Sequence, residues 1–114
     1  MKAIIVANDA EHTLSWQDVP GPTCSPHQAL VDIHATAVNR ADLLQRSGNY
    51  PPPYGAPPYM GLEMSGTITA VGDDVENFRP GDRVFGLLTG GGYAEQVAVP
   101  ATHLLPLPDE RDFA

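Results

Sequence analysis

The side chains able to do chemistry stand in a few short stretches. Asn39, Arg40 and Asp42 lie together in "VNRADLLQRSG", and Tyr50 closes "RSGNY". Glu63 sits between Leu62 and Met64 in "YMGLEMSG", and Tyr93 follows three glycines in "TGGGY". A buried carboxylate costs several kcal/mol, to order of magnitude, unless something pairs with it. Glu63 is therefore expected to be satisfied by backbone N–H groups or an Arg, with proton transfer as its other possible role. Asn39 suits the N-cap of a helix or a ligand contact, and Asp42 suits local capping at the same helix start. A phenol such as that of Tyr50 can stack on a flat ring and donate a hydrogen bond, or pack on Pro51 to Pro53. Tyr93 and its glycines either border a cleft or form a hairpin turn. His12, His27, His34 and His103 are scattered and show no H-x-x-x-H spacing. Cys24 is the one cysteine, which excludes an internal disulfide and a Cys-based zinc site.

The elements that must position these residues read mostly as strands. "KAIIVA" and "HTLSWQDVP" are the first two, the second stopped by Pro20-Gly21-Pro22. Ala29 to Asn39 is the longest extended run, with Val31, Ile33, Ala35 and Ala37 on one side and Asp32, His34 and Thr36 on the other. "RADLLQRSG" predicts a short helix, capped by Asn39 and stopped by Gly48. "YPPPYGAPPY" predicts a stiff extended loop. "MSGTITAVG", "RVFGLL" and "AEQVAVPATHLLPL" continue the strands, with "TGGG" predicted as a hairpin loop between the last two. Pro108 followed by acids predicts a helix start in which Phe113 and Ala114 take the first apolar positions, so that the sequence breaks off at a cut edge. Strands joined at short intervals by turns predict a small antiparallel barrel or sandwich.

Composition narrows the function classes. The 114 residues suit one domain with a modest core, and 12 Pro with 11 Gly spread along the chain agree with many turns. Fourteen acids against six Lys and Arg give a formal charge of -8, a field that repels nucleic-acid phosphates and anionic lipid. No nucleic-acid or membrane partner is expected. The apolar run at Ala3 to Ala7 is too short for a signal peptide or a membrane span, and a cytoplasmic protein is the expectation.

Three segments in order carry a resemblance: "ALVDIHATAVNRADLLQRSGNYPPP", "GLEMSGTITAVGDDVENFRPGDRVFGL" and "GGYAEQVAVPATHLLPLPDE". Together they resemble the start of the medium-chain dehydrogenase/reductase superfamily, and within it the zinc-free quinone oxidoreductase branch. The resemblance covers nearly the whole chain. It implies a mainly β fold, a GroES-like antiparallel β-barrel with one or two short helices, over residues 1–114. It also implies that a Rossmann NADPH-binding domain follows, and this sequence contains no G-x-G-x-x-G. In zinc-dependent relatives the first metal ligand is a Cys where Asn39 stands, and the second is a His where Leu62 stands. Leu cannot ligate zinc and an Asn amide is a poor substitute for a thiolate, so no metal is implied.

The activity implied is NADPH-dependent reduction of quinones or activated enones. Such substrates are already electrophilic and need positioning and a proton source more than a Lewis acid. The resemblance implies catalytic roles for Tyr50 and Asn39, and cofactor contacts from Asn39 and Arg40. It implies substrate contacts from Tyr50, Leu62 and Tyr93. NADPH would be held mainly by the following domain, this chain alone would be inactive, and the parent would be a homodimer. Three other readings stay open. Another zinc-free reductase of the superfamily, such as an enoyl reductase, fits the same segments. A non-enzymatic ring subunit would share the barrel, and "PPPY" at Pro51 to Tyr54 satisfies the pattern bound by WW domains.

Overall fold

Alternation of apolar and polar residues produces the strands at the centre of the molecule. The computed structural model describes residues 1–48 and 59–114. Strands β1 (Lys2–Val6) and β2 (Leu14–Asp18) form a two-stranded antiparallel ladder. β3 (Gln28–Thr36) is followed by helix α1 (Arg40–Ser47), then by β4 (Glu63–Val71), β5 (Arg83–Leu87), β6 (Gln96–Pro100) and β7 (Leu104–Pro106). These five strands form one antiparallel sheet in the order β6-β3-β4-β5-β7. The face predicted for β3 is met in part: Val31 is fully buried while His34 and Thr36 are exposed, but Ile33 and Ala35 are only half-buried, as is Asp32, and the register shifts between Ile33 and Ala35.

Topology forces the sheet to curl. β6 and β7 are its two outer strands, yet only a single 3-10 turn, Ala101–His103, joins them. Five flat strands would hold their edges about 19 Å apart, at about 4.8 Å per step. A 3-10 turn of three residues rises only about 6 Å. The edges must therefore bend toward one another, as in a barrel, and Gly86 makes room for the corner. A Cβ there would lie 2.5 Å from the His103 carbonyl oxygen. Ala29, Val31, Met64, Ile68, Val84, Val97, Val99 and Leu104 fill the interior. The mainly β class expected is what the strands build, with α1 and the 3-10 turn as its short helices.

Two local expectations are corrected. "TGGG" is not a β5–β6 hairpin. β5 lies between β4 and β7 while β6 pairs with β3, so the segment must cross the molecule. Its backbone pairs with Tyr59–Gly61 instead: the Gly91, Gly92 and Tyr93 N–H groups donate to the carbonyls of Tyr59, Gly61 and Met60 at 2.7, 3.1 and 2.9 Å. The second correction is at Pro108, where the chain makes a single turn, Arg111 N–H to the Pro108 carbonyl at 3.0 Å, and no helix. The Arg83 guanidinium donates to the Pro108 and Asp109 carbonyls, each at 3.1 Å, and to that of Arg111. These are carbonyls that a helix would need for its own N–H groups. Phe113 then stacks on His34, ring centroids 4.1 Å apart, under the same guanidinium.

Candidate functional site

Helix α1 begins where the sequence predicts. Asn39 is at the N-cap in an extended conformation, φ -118° and ψ 159°, and Gly48 ends the helix at φ 82°. The Asn39 N–H donates to Asp42 Oδ2 at 2.7 Å, which satisfies an amide that helix geometry leaves free. The far end is fixed by Arg46, whose Nε donates to the His12 carbonyl in the β1–β2 turn at 2.8 Å. The helix is thus held at both ends, and Arg40 in its first turn is exposed.

Asp42 does more than cap. It is 1% exposed, and its Oδ2 also accepts the Tyr93 hydroxyl at 2.6 Å. Its other oxygen, Oδ1, is buried with no hydrogen-bond partner among the described residues. The Tyr93 hydroxyl lies 3.4 Å from the Ala37 carbonyl as well. Burial first, then the hydrogen bond to Asp42 and the negative charges of Asp42 and Glu63, push the Tyr93 phenol well above its ordinary value. The phenol therefore holds its proton across the working range of pH and acts as a donor to Asp42.

Tyr93 reaches α1 because two backbones meet without side chains between them. Gly61 has φ +105°, and a Cβ there would lie 2.6 Å from the Gly92 Cα. Only glycine relieves both constraints. The Gly61 N–H faces Gln45 Oε1 of α1 at 3.4 Å. Three segments thus converge: the N-terminus of α1, Tyr59–Leu62, and Gly90–Tyr93.

The sequence-predicted residues distribute as follows. Asn39 and Tyr93 are joined through Asp42. Leu62 is half-buried, and its carbonyl accepts the Leu88 N–H at 2.7 Å. Tyr50 lies outside the described residues, as do Pro51 to Tyr54. Glu63 differs from expectation. It is its backbone carbonyl that is bonded, by the Thr36 hydroxyl at 2.7 Å, and its half-buried carboxylate has no hydrogen-bond or ion-pair partner among the described residues. Half-exposure leaves that carboxylate hydrated, which removes the need for the partner expected from burial. The Asp42–Tyr93 bond is the feature that sequence reasoning missed. Asp42 was legible as a cap, but nothing local points to a phenol 51 positions away.

An open groove of about 920 Å³ runs beside this site along Thr36–Ala37, Glu63 and Leu87. Asn39, Arg40, Leu62 and Tyr93 are not among the described residues that line it. Among the described residues no three His, Cys, Asp or Glu side chains form a group that could hold a metal ion. No helix there is long and apolar enough to cross a membrane.

Known proteins match the chain in sequence and in fold. Residues 25–109 match the model of the alcohol dehydrogenase GroES-like domain. The chain is 40% identical over 97 residues to a quinone oxidoreductase of Rattus norvegicus, covering 84% of this chain and 30% of that protein. The quinone oxidoreductase of Pseudomonas syringae pv. Tomato DC3000 superimposes with a TM-score of 0.83 at 33% identity, over 98% of this chain and 35% of that one. The Escherichia coli quinone oxidoreductase, solved in complex with NADPH, gives 0.84 at 25% identity, over 98% and 34%. The chain therefore spans only about a third of the length of the proteins it matches.

Proposed function

Because the chain belongs to the alcohol dehydrogenase GroES-like domain family, we propose that it is the N-terminal, substrate-side domain of a zinc-independent, NADPH-dependent oxidoreductase acting on quinones or activated enones. The observation that carries the reading is the 40% identity to a quinone oxidoreductase over 84% of the chain, with the fold of a second one matched over 98%. The donor set supports the zinc-free part. The Leu62 side chain has no lone pair to offer, and the Asn39 side-chain amide is a weak zinc ligand.

In this reading a nucleotide-binding domain follows residue 114 in the parent and carries most of the NADPH contacts, as a dinucleotide fold would. Asn39 contacts the nicotinamide or its ribose, and the exposed Arg40 guanidinium faces the cofactor phosphates. The nicotinamide, when bound, supplies hydride to the substrate. Tyr50 stacks on the substrate ring and donates a hydrogen bond. Leu62 forms an apolar wall where a zinc-binding His would otherwise stand, and Tyr93 borders the cleft. The parent is a cytoplasmic homodimer, and this domain alone is inactive.

The test is a fluorescence titration of NADPH into the 114-residue chain beside a quinone-reduction assay of the full parent. The reading expects turnover by the parent in the presence of chelator and neither saturable binding nor turnover by the isolated chain. Micromolar binding by the chain alone would overturn the division of labour. Loss of parental activity on metal removal would overturn zinc independence.

A further inference from the structure

We propose that Asp42 is the positioning residue for Asn39, and that the Tyr93 hydroxyl holds Asp42 in that role. The proposal rests on reading Asn39 as a cofactor contact. Both bonds fall on one carboxylate oxygen, Oδ2, and both are short: 2.7 Å from the Asn39 N–H and 2.6 Å from Tyr93. No cation pairs with Asp42 among the described residues. Those two donors therefore fix where the carboxylate lies.

Capping alone does not account for this arrangement. A capping acid needs neither burial nor a phenol, and works equally well from an exposed position. Asp42 is instead 1% exposed and leaves Oδ1 without a partner among the described residues, an expensive way to cap a helix. What the arrangement adds is a connection. Tyr93 is fixed at its backbone by the Met60 carbonyl at 2.9 Å and at its hydroxyl by Asp42. Asn39 is thereby set relative to Tyr59–Leu62, on the other side of the site. Since reacting groups misplaced by about 1 Å lose rate by about a hundredfold, a fixed N-cap has functional value beyond helix stability.

The experiment compares Tyr93→Phe, Asp42→Asn, Asn39→Ala and the double variant Asn39→Ala/Tyr93→Phe in the full parent enzyme. One readout is NADPH affinity by fluorescence. The other is the Asn39 backbone amide resonance and its hydrogen exchange in enzyme labelled with 15N-asparagine. Tyr93→Phe is expected to weaken NADPH binding about tenfold, to move the Asn39 amide resonance and to speed its exchange. In the Asn39→Ala background the same change should add less than twofold, because Tyr93 acts through Asn39. An unmoved Asn39 resonance, or a full tenfold effect in the double variant, would overturn the proposal. Should Tyr93→Phe fail to fold, the near-isosteric Asp42→Asn carries both readouts. If Asn39→Ala leaves NADPH affinity intact, the cofactor reading of Asn39 falls, while the amide resonance still decides the positioning role.

Discussion

Two carboxylates in this molecule accept the same pair of donors in opposite settings. Asp9, in the exposed β1–β2 turn, accepts the Thr13 N–H at 3.0 Å and the Thr13 hydroxyl at 2.8 Å. Asp42 accepts the Asn39 N–H at 2.7 Å and the Tyr93 hydroxyl at 2.6 Å. Asp9 draws both donors from one residue four positions on. Asp42 draws them from two, one of them 51 positions away, and it is buried. Water can replace either bond to Asp9, so that its turn is a local convenience. Nothing replaces the bonds to Asp42, so the same chemistry there becomes a long-range tie.

The largest contrast should come from truncation. Asp42→Ala leaves the Tyr93 hydroxyl and the Asn39 N–H without their acceptor in a buried place. A loss of about 2–4 kcal/mol in urea unfolding is expected, while Asp9→Ala should move the midpoint far less. Equal effects of the two variants would show that burial does not separate them. Tyr93→Phe sharpens the comparison by removing one donor and keeping the ring, with an expected cost of about 1–2 kcal/mol in the same measurement. A loss under about 0.3 kcal/mol would mean that the long-range bond carries no net stability.

How much of this was legible in the sequence follows the same division between local and long-range. Helix α1 was readable from Asn39 to Gly48, because a cap and a left-handed stop are local chemistry. The face of β3 was readable in part, because period-2 alternation is local too. Asp42 was visible as a capping acid. Its phenol was not, because pairing residue 42 with residue 93 requires knowing that "TGGG" crosses the molecule to pair with Tyr59–Gly61. Three glycines between two strands look like a hairpin turn until the partners of both strands are known. The Pro108 turn failed as a helix for a similar reason, since the Arg83 side chain that claims its carbonyls comes from 25 residues earlier. Glu63 misled in the opposite direction. Burial was inferred from its apolar neighbours, and the structure leaves its carboxylate half-exposed.

The two sites should also separate at opposite ends of the pH scale. Tyr93 has a raised folded-state value, so its contribution is complete below the ordinary phenol value of 10.0 and is lost as pH rises through the higher folded one. Stability above about pH 10 should fall less steeply in Tyr93→Phe than in the parent sequence. Parallel alkaline limbs would mean that neither burial nor Asp42 raises the phenol.

Asp9 carries the smallest effect and the reverse sign. The Thr13 N–H, and after it the Thr13 hydroxyl, hold its carboxyl below the ordinary 3.8. Its contribution is therefore present above that value and is lost as pH falls through the lower folded one. The consequence reaches past the turn. Asp9 and Thr13 bracket His12, a non-glycine residue at φ 50°, whose carbonyl accepts Arg46 from the last turn of α1 at 2.8 Å. Acid that releases Asp9 should loosen that anchor while leaving the Asp42 end of the helix in place. Hydrogen exchange near neutral pH should thus be faster in the last turn of α1 for Asp9→Asn than for the parent sequence, a difference that shrinks as pH falls below 3.8, with the Asn39 amide unchanged. Faster exchange at Asn39 as well would mean that the two ends of α1 are one cooperative unit, and that the local and the long-range carboxylate act as a single device.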